Sequence, residues 1–338
     1  MQSSVVFSSG PTGPVFFTWL RCSLILLTMT ATAAWAQTYP SRSIEWVVPY
    51  PAGGGSDVVA RSLSELMGNA LGQSIIVSNK PGAGTNIGAS YAALAKADGH
   101  TLLTADTATL AANPALYSNL NYSAEKDFAP VGLLARFPMV LVVNPAVPAN
   151  NLTEFLAWAK TQAATAGVSY ASPGAGSPHH LTAELFRSKT GLNLVHVPYR
   201  GAAPAVQDVA GGQLPFMFVD TAAGMGFIQS GRLRAIGIAS LTRVKNFENI
   251  PTLNEQGLKG FEAFAWQGLV VPTGTPLDVI VMLNKALVDA LNTTSVKARF
   301  QALGLEATPG TPGQMATYAR AEREKWAQVI RASGIKLD

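Results

Sequence analysis

The sequence predicts an α/β fold in which mostly parallel sheets are flanked by helices and the chain forms two domains. Three observations carry this. Strand, glycine-rich loop and helix recur in both halves, 338 residues suffice for two domains of ordinary size, and 48% of the residues are hydrophobic while 13% are charged. The pattern is set by Val47-Val48-Pro49-Tyr50-Pro51-Ala52-Gly53-Gly54-Gly55-Ser56-Asp57. It reads as a strand over 44–48, a tight turn, and a helix with Val58, Leu63, Leu66 and Met67 available for its buried face. Ser56 and Asp57 are both suited to cap that helix. Its first-turn N–H groups have no intrahelical partner and carry the positive end of the dipole, so a small anion fits where turn meets helix. Nucleotide and esterase loops do not fit. The Gly-Lys-Ser/Thr ending is missing, and Val58 stands where a dinucleotide fingerprint or a nucleophile elbow needs glycine.

Composition excludes other classes. The net charge of +4 comes from scattered Lys and Arg with no basic run, which argues against nucleic acid as a partner. Residues 1–36 read as a signal peptide. Arg21 precedes the apolar core Leu24-Ile25-Leu26-Leu27, and Ala34-Trp35-Ala36 matches a cleavage site before Gln37. The core is too short for a membrane span, and the leader before Arg21 is uncharged. Cys22, the sole cysteine, falls within this segment, so a mature chain carries no thiol, as suits an oxidising compartment.

Beyond the first unit, a strand over 74–78 opens onto Asn79-Lys80-Pro81-Gly82-Ala83-Gly84 and an alanine-rich helix, and a strand over 101–104 ends at Asp106 before another helix. The run Val140-Leu141-Val142-Val143 is broken by Pro145 and Pro148, where the chain is expected to cross into a second domain. There, an amphipathic helix over 152–164 turns Phe155, Leu156 and Ala159 inward. Strands over 168–171 and 194–199 open onto loops 172–180 and 199–203, each with a helix behind it, and strands over 214–219 and 234–239 follow. A loop with a short helix is expected over 250–257, and 261–271 returns the chain to the first domain. Helices over 276–291, 296–303 and 315–332 complete it, the last with Tyr318, Trp326, Val329 and Ile330 inward and Arg320, Glu322, Arg323, Glu324 and Lys325 on a solvated face. The expected organisation is residues 37–142 with 264–338 as domain 1 and 143–263 as domain 2. Two crossings make a hinge, and the facing loops make a cleft.

Catalytic and metal chemistry is poorly provided. His179-His180 and His196 have no carboxylate or cysteine at ligand spacing, and adjacent histidines do not share a helix face; no metal or cofactor is expected. No Gly-x-Ser-x-Gly elbow occurs, and the chain is read as a non-enzyme. What remains is four loops of one kind, at 50–57, 82–88, 172–180 and 199–203, rich in glycine, hydroxyls and Asn, with Arg200 the one cation. Such loops hold a carboxylate by backbone N–H groups and hydroxyls, directly or through water. Asp57, Asp106 and Asp220 each follow a strand and precede a helix, so capping is their simplest role; Asp57, if turned toward a ligand, would favour an ammonium group.

These residues resemble the tripartite tricarboxylate transporter substrate-binding proteins, the Bug family of periplasmic receptors, over essentially the whole chain after residue 36. The resemblance rests on Val47-Val48-Pro49-Tyr50-Pro51-Ala52-Gly53-Gly54, Ala60-Arg61, Asn79 with Pro81-Gly82-Ala83-Gly84, and Asp98-Gly99-His100-Thr101-Leu102-Leu103. It continues in Lys126-Asp127-Phe128-Ala129-Pro130, His180-Leu181, His196-Val197-Pro198-Tyr199, Gly211-Gly212-Gln213, Pro251-Thr252, Glu255-Gln256-Gly257 and Trp266. It implies a two-domain periplasmic binding protein of the Venus-flytrap kind, monomeric, closing on a small carboxylate for delivery to a membrane permease; a sensor that signals to a membrane kinase is the alternative role. It also implies one jaw of Tyr50, Gly53, Gly54, Ser56 and Asp57 and a second of Ser172, Gly176, Ser177, His180, Tyr199 and Gly201, with Asp220 nearby. Ala52, His100 and Pro178-His179 depart from the family pattern.

Overall fold

The computed structural model describes residues 1–10, 39–163, 167–245 and 247–337. Contacts divide the chain into Met1–Ser41 and Arg42–Asp338, and all regular structure among the described residues lies in the second unit. The expected signal-peptide core, its cleavage site and Cys22 lie outside the described residues.

The first half runs β1 (Ile44–Val48), α1 (Gly55–Leu71), β2 (Ile75–Asn79), α2 (Asn86–Ala93) and β3 (Thr101–Asp106). The helix expected after Asp106 is a π-helical turn (Thr107–Ala112) running into a short α3 (Asn113–Leu116). β4 (Phe128–Val143) leads to α4 (Leu152–Ala163), β5 (Val168–Ser172), α5 (Pro178–Thr190), β6 (Leu194–Pro198), α6 (Ala202–Ala210), β7 (Phe216–Asp220), α7 (Thr221–Gln229) and β8 (Arg234–Ile238). After β9 (Phe264–Pro272) come α8 (Leu277–Asn292), α9 (Thr294–Ala302), β10 (Glu306–Ala307) and α10 (Pro312–Ser333). Residues 250–257 form turns instead of the expected short helix, because Thr252 both bridges to Ile238 and exchanges hydrogen bonds with Glu255.

The sheet is mixed, and its order is β2-β1-β3-β9-β4-β7-β5-β6. β1, β2 and β3 pair in parallel, as do β5, β6 and β7. The strands between these groups run antiparallel, since β9 returns to the first half against both β3 and β4. β4 belongs to both groups: β9 pairs with it from Phe128 to Pro138, and β7 from Met139 to Val143. Pro138, which has no N–H to give a ladder, stands at the change of partner.

Local signals explain most elements. α1 buries Val59, Ala60, Leu63 and Met67, with Val58 and Leu66 at the margins, and stops at Gly72 in the left-handed region. α10 opens with Thr311 and Gln314 in a reciprocal capping box, followed by Pro312. Val47, Leu141, Phe155, Phe186, Phe261 and Trp326 belong to one continuous apolar core. The face of α10 expected to be solvated is not so throughout. Glu322 is buried and accepts from Trp266 Nε1 at 3.2 Å and Trp326 Nε1 at 2.8 Å, because two buried indole N–H groups need an acceptor. Arg323 likewise folds back to donate to Leu110 O at 2.9 Å.

Glu322 thus ties α10 to β9. Replacing Glu322 by Ala leaves both indoles unpaired and is expected to cost on the order of 2–4 kcal/mol in urea denaturation, whereas Glu322→Gln, which keeps an acceptor, costs less than half of that.

Candidate functional site

The loop after β1 is held by a polar knot beneath it. Asp57, expected at the helix cap or facing a ligand, is the third residue of α1, and Gly54 is the N-cap without any side-chain bond. Its Oδ2 accepts from Gly53 N at 2.9 Å and its Oδ1 from Asn79 Nδ2 at 3.0 Å, while Arg61 Nε donates to both oxygens. Asn79 Nδ2 also donates to Tyr50 O at 3.0 Å, and Arg61 Nη2 to Asn79 Oδ1 at 3.1 Å. Desolvation pushes the Asp57 carboxyl up, but the hydrogen bonds from Arg61, Gly53 and Asn79 outweigh it and hold the group below the usual carboxylate range. Asp57 therefore shapes the turn with every oxygen engaged. The residues it shapes, 51–55, are exposed, and Gly53 takes a φ of +81° that other residues rarely adopt.

Two further contacts fix the loop to the sheet. The Tyr50 hydroxyl donates to Asp106, which caps the π-helical turn by accepting from Thr109 N at 2.9 Å. Burial raises the pKa of both partners, most strongly for Tyr50. Ser56, buried in the first turn of α1, receives Gln267 Nε2 at 2.6 Å. Asp106 and Gln267 are direct cross-strand partners on β3 and β9, so both stand on one face of the sheet at the carboxyl end of β3. Loop 82–86 joins the same assembly through Asn113, whose Nδ2 donates to Gly84 O at 2.7 Å and Asn86 Oδ1 at 2.7 Å.

The second set of loops rests on aromatic and imidazole rings. Ser172 Oγ donates to Gly174 O at 3.0 Å and lies 2.6 Å from His196 Nε2, so the imidazole supplies the proton of that bond. His196 stacks on His180 with centroids 3.7 Å apart, and Tyr170 stacks on His196 at 5.1 Å. His180 does not project from its loop: it is buried, and its Nδ1 accepts from Gly176 N at 3.0 Å. Desolvation, reinforced by His196, pushes His180 down to about 4, and burial lowers His196 as well. Two stacked imidazoles in a buried site avoid repulsion by staying neutral, which is the state that lets His180 Nδ1 accept.

Ser177 caps α5 by accepting from His180 N at 3.3 Å and donates to Gly174 O at 2.7 Å. Gly176, at φ +75°, has no room for a Cβ, which would stand 2.7 Å from Leu116 and 2.8 Å from Leu337. Tyr199 OH donates to Asp208 at 2.7 Å, and Gly201 N donates to Pro173 O at 3.0 Å, so loop 199–201 braces loop 172–174. Asp220 caps α7 and lies 3.0 Å from His179 Nε2. Hydrogen bonding and charge from His179 outweigh its desolvation and lower its pKa.

Both loop sets flank one short piece of β4. A Cβ on Gly55 would lie 3.4 Å from the Phe137 ring, and Asp220 is the register partner of Met139. The sequence reading did not single out Gln267, the His179–Asp220 pair or the Tyr50–Asp106 bond. A signal existed for the first, since Gln267 interrupts the apolar run Trp266 to Val271, but the others depend on side chains meeting across the fold. Among the described residues no group of three or more His, Cys, Asp or Glu is placed to hold a metal ion.

A shared central sheet with glycine-rich loops at helix starts on both sides defines a solute-binding receptor of the periplasmic binding-protein fold. The chain belongs to the tripartite tricarboxylate transporter family of receptors, whose model matches residues 59–335. It is 37% identical to the protein BugT of Bordetella pertussis over 303 residues, 89% of this chain and 92% of that protein. Among solved structures, R. palustris Rpa4515 with adipate superposes with a TM-score of 0.80 at 30% identity, covering 88% of this chain and 99% of the other. MatC from Rhodopseudomonas palustris with bound malate gives 0.77 at 32% identity, covering 86% and 100%.

The buried neutral histidines make stability pH-dependent. The folded pKa of His180 lies below its unfolded value near 6.5, so its contribution is complete above that value and is lost as the pH falls toward about 4. Chemical denaturation at pH 5 should show roughly 2 kcal/mol less stability than at pH 8 from this group, and His180→Gln should flatten that part of the profile.

Proposed function

We propose that this protein captures a small carboxylate between loop 50–57 and loop 172–177 and delivers it to the membrane permease of a tripartite tricarboxylate transporter, without chemical turnover. The observation that carries the reading is that loop 50–57 presents main-chain N–H groups at an uncapped helix start while the acid beside it is already committed. Gly54 leaves the first turn of α1 without a side-chain cap, and Asp57 faces Arg61, Asn79 and Gly53. Family membership supports it, as do the dicarboxylates in the two Rhodopseudomonas structures. Hydrogen bonds to a charged group contribute on the order of 1.5–3 kcal/mol each, so four or five approach the roughly 8 kcal/mol of a micromolar complex.

In this reading Tyr50, Gly53, Gly54 and Ser56 form one jaw and Ser172, Gly176, Ser177, Tyr199 and Gly201 the other. Asp57, His180 and Asp220 hold the jaws in shape from behind. The lobes meet at Pro138–Met139, where β4 changes partner, and at the start of β9; closure is a small rotation there, stabilised by contacts the solute makes only in the closed form. The receptor acts in the periplasm as a monomer, after removal of residues 1–36.

Gly54 is exposed with a negative φ, so a larger residue is tolerated by the fold. Gly54→Phe should leave the melting temperature within a few degrees yet weaken carboxylate binding at least tenfold. Calorimetric titration against a panel of C4–C6 dicarboxylates, with a thermal-shift screen of the unliganded protein, makes the check. A wild-type protein that binds none of the panel, or a variant with unaltered affinity, contradicts the first jaw.

A further inference from the structure

Gln267 is 6% exposed, and its Oε1 is a buried acceptor with no hydrogen-bond partner. Its Nε2 is engaged, donating to Ser56 Oγ in the first turn of α1. An acceptor shut away from water without a donor costs about 1–3 kcal/mol, a penalty natural cores avoid unless the group has another use. Neighbouring strands offer nothing to relieve it. Asp106, across the ladder on β3, already holds Tyr50 and Thr109, and the partner on β4 is Ala135. Turning the amide end for end only exchanges the unpaired oxygen for an unpaired Nε2.

The location supplies the use. Ser56 is the second residue of α1, whose N-terminus lacks a side-chain cap, and the residues before it are exposed. A carboxylate seated on the amides of that turn would adjoin Ser56, the residue that Gln267 holds at 2.6 Å. The carboxylate does not suit Oε1, which repels it. A hydroxyl one carbon away does, because it donates to Oε1 and also accepts from Nε2 should the amide be turned.

Resting on the receptor reading above, we infer that Gln267 is a specificity-determining residue that meets a hydroxyl substituent of the bound acid, so that the preferred solute is a hydroxy-carboxylate. Sites built to hydrogen-bond a hydroxyl discriminate strongly against the analogue lacking it, since the site's own polar atom is then left unpaired.

Titration calorimetry of the purified protein with two matched pairs, succinate with malate and glutarate with 2-hydroxyglutarate, tests this. Wild type is expected to bind the hydroxylated member of at least one pair about tenfold or more tightly than its partner. Gln267→Leu should bring that pair within about twofold by losing affinity for the hydroxy acid alone, leaving the plain acid within about threefold of wild type. Gln267→Met, which matches glutamine in length, is measured beside it so that a folded variant is in hand. Equal wild-type affinities within both pairs, or a preference that survives in the folded variants, overturns the role of Gln267 and leaves the receptor reading standing. Failure of all four acids to bind overturns this inference, and the wider carboxylate panel then decides the receptor reading separately.

Discussion

Everything in this molecule depends on one uninterrupted strand. β4 carries the ladder to β9 over its first part and the ladder to β7 over its second, so the two parallel groups of strands are joined through a single backbone. A loop set placed by β1 and β3 and a loop set placed by β5 and β7 are thereby brought to Phe137 and Met139, neighbours on that strand. Pro138, at the change of partner, pairs with Phe264 but has no N–H to give the ladder. In the proposed receptor, closure would take place at this same stretch.

The acids and imidazoles around the loops serve position, not charge. Asp57 engages both oxygens in its own turn, Asp106 and Asp220 cap helices, and burial holds His180 and His196 below the ordinary imidazole range, His180 being lowered further by His196. A carboxylate entering the proposed site would meet the uncapped start of α1, with Asp57 beside it already paired with Arg61.

Much of this was legible in the sequence. β1, the glycine loops and the helices behind them follow from alternating apolar runs and turn residues, and the caps at Asp106 and Asp220 follow from residue type. The resemblance to the family rested on ordered motifs, and the family match covers them from residue 59 onward. What was not legible is pairing at long range. The antiparallel insertion of β9 between β3 and β4 cannot be read from local periodicity, which reports a strand without its direction. Glu322 looked solvated because its neighbours on α10 are charged, yet its place was decided by two tryptophans, one of them 56 positions away in the chain. Gln267 was passed over for the same reason: its partner Ser56 lies 211 residues earlier.

The claim that the two loop sets close on a carboxylate is tested most directly by a distance. Ala52 and Ala175 are both exposed, and Cys22 is the sole native cysteine, so in a chain beginning at Gln37 two introduced cysteines at these positions carry the only labels. Pulsed electron resonance of the spin-labelled pair, with and without saturating malate or adipate, reports the separation of the loops. The account predicts a broad distribution that shortens and narrows on ligand addition. A distribution unchanged when calorimetry shows the site filled would contradict closure of these loops on the solute.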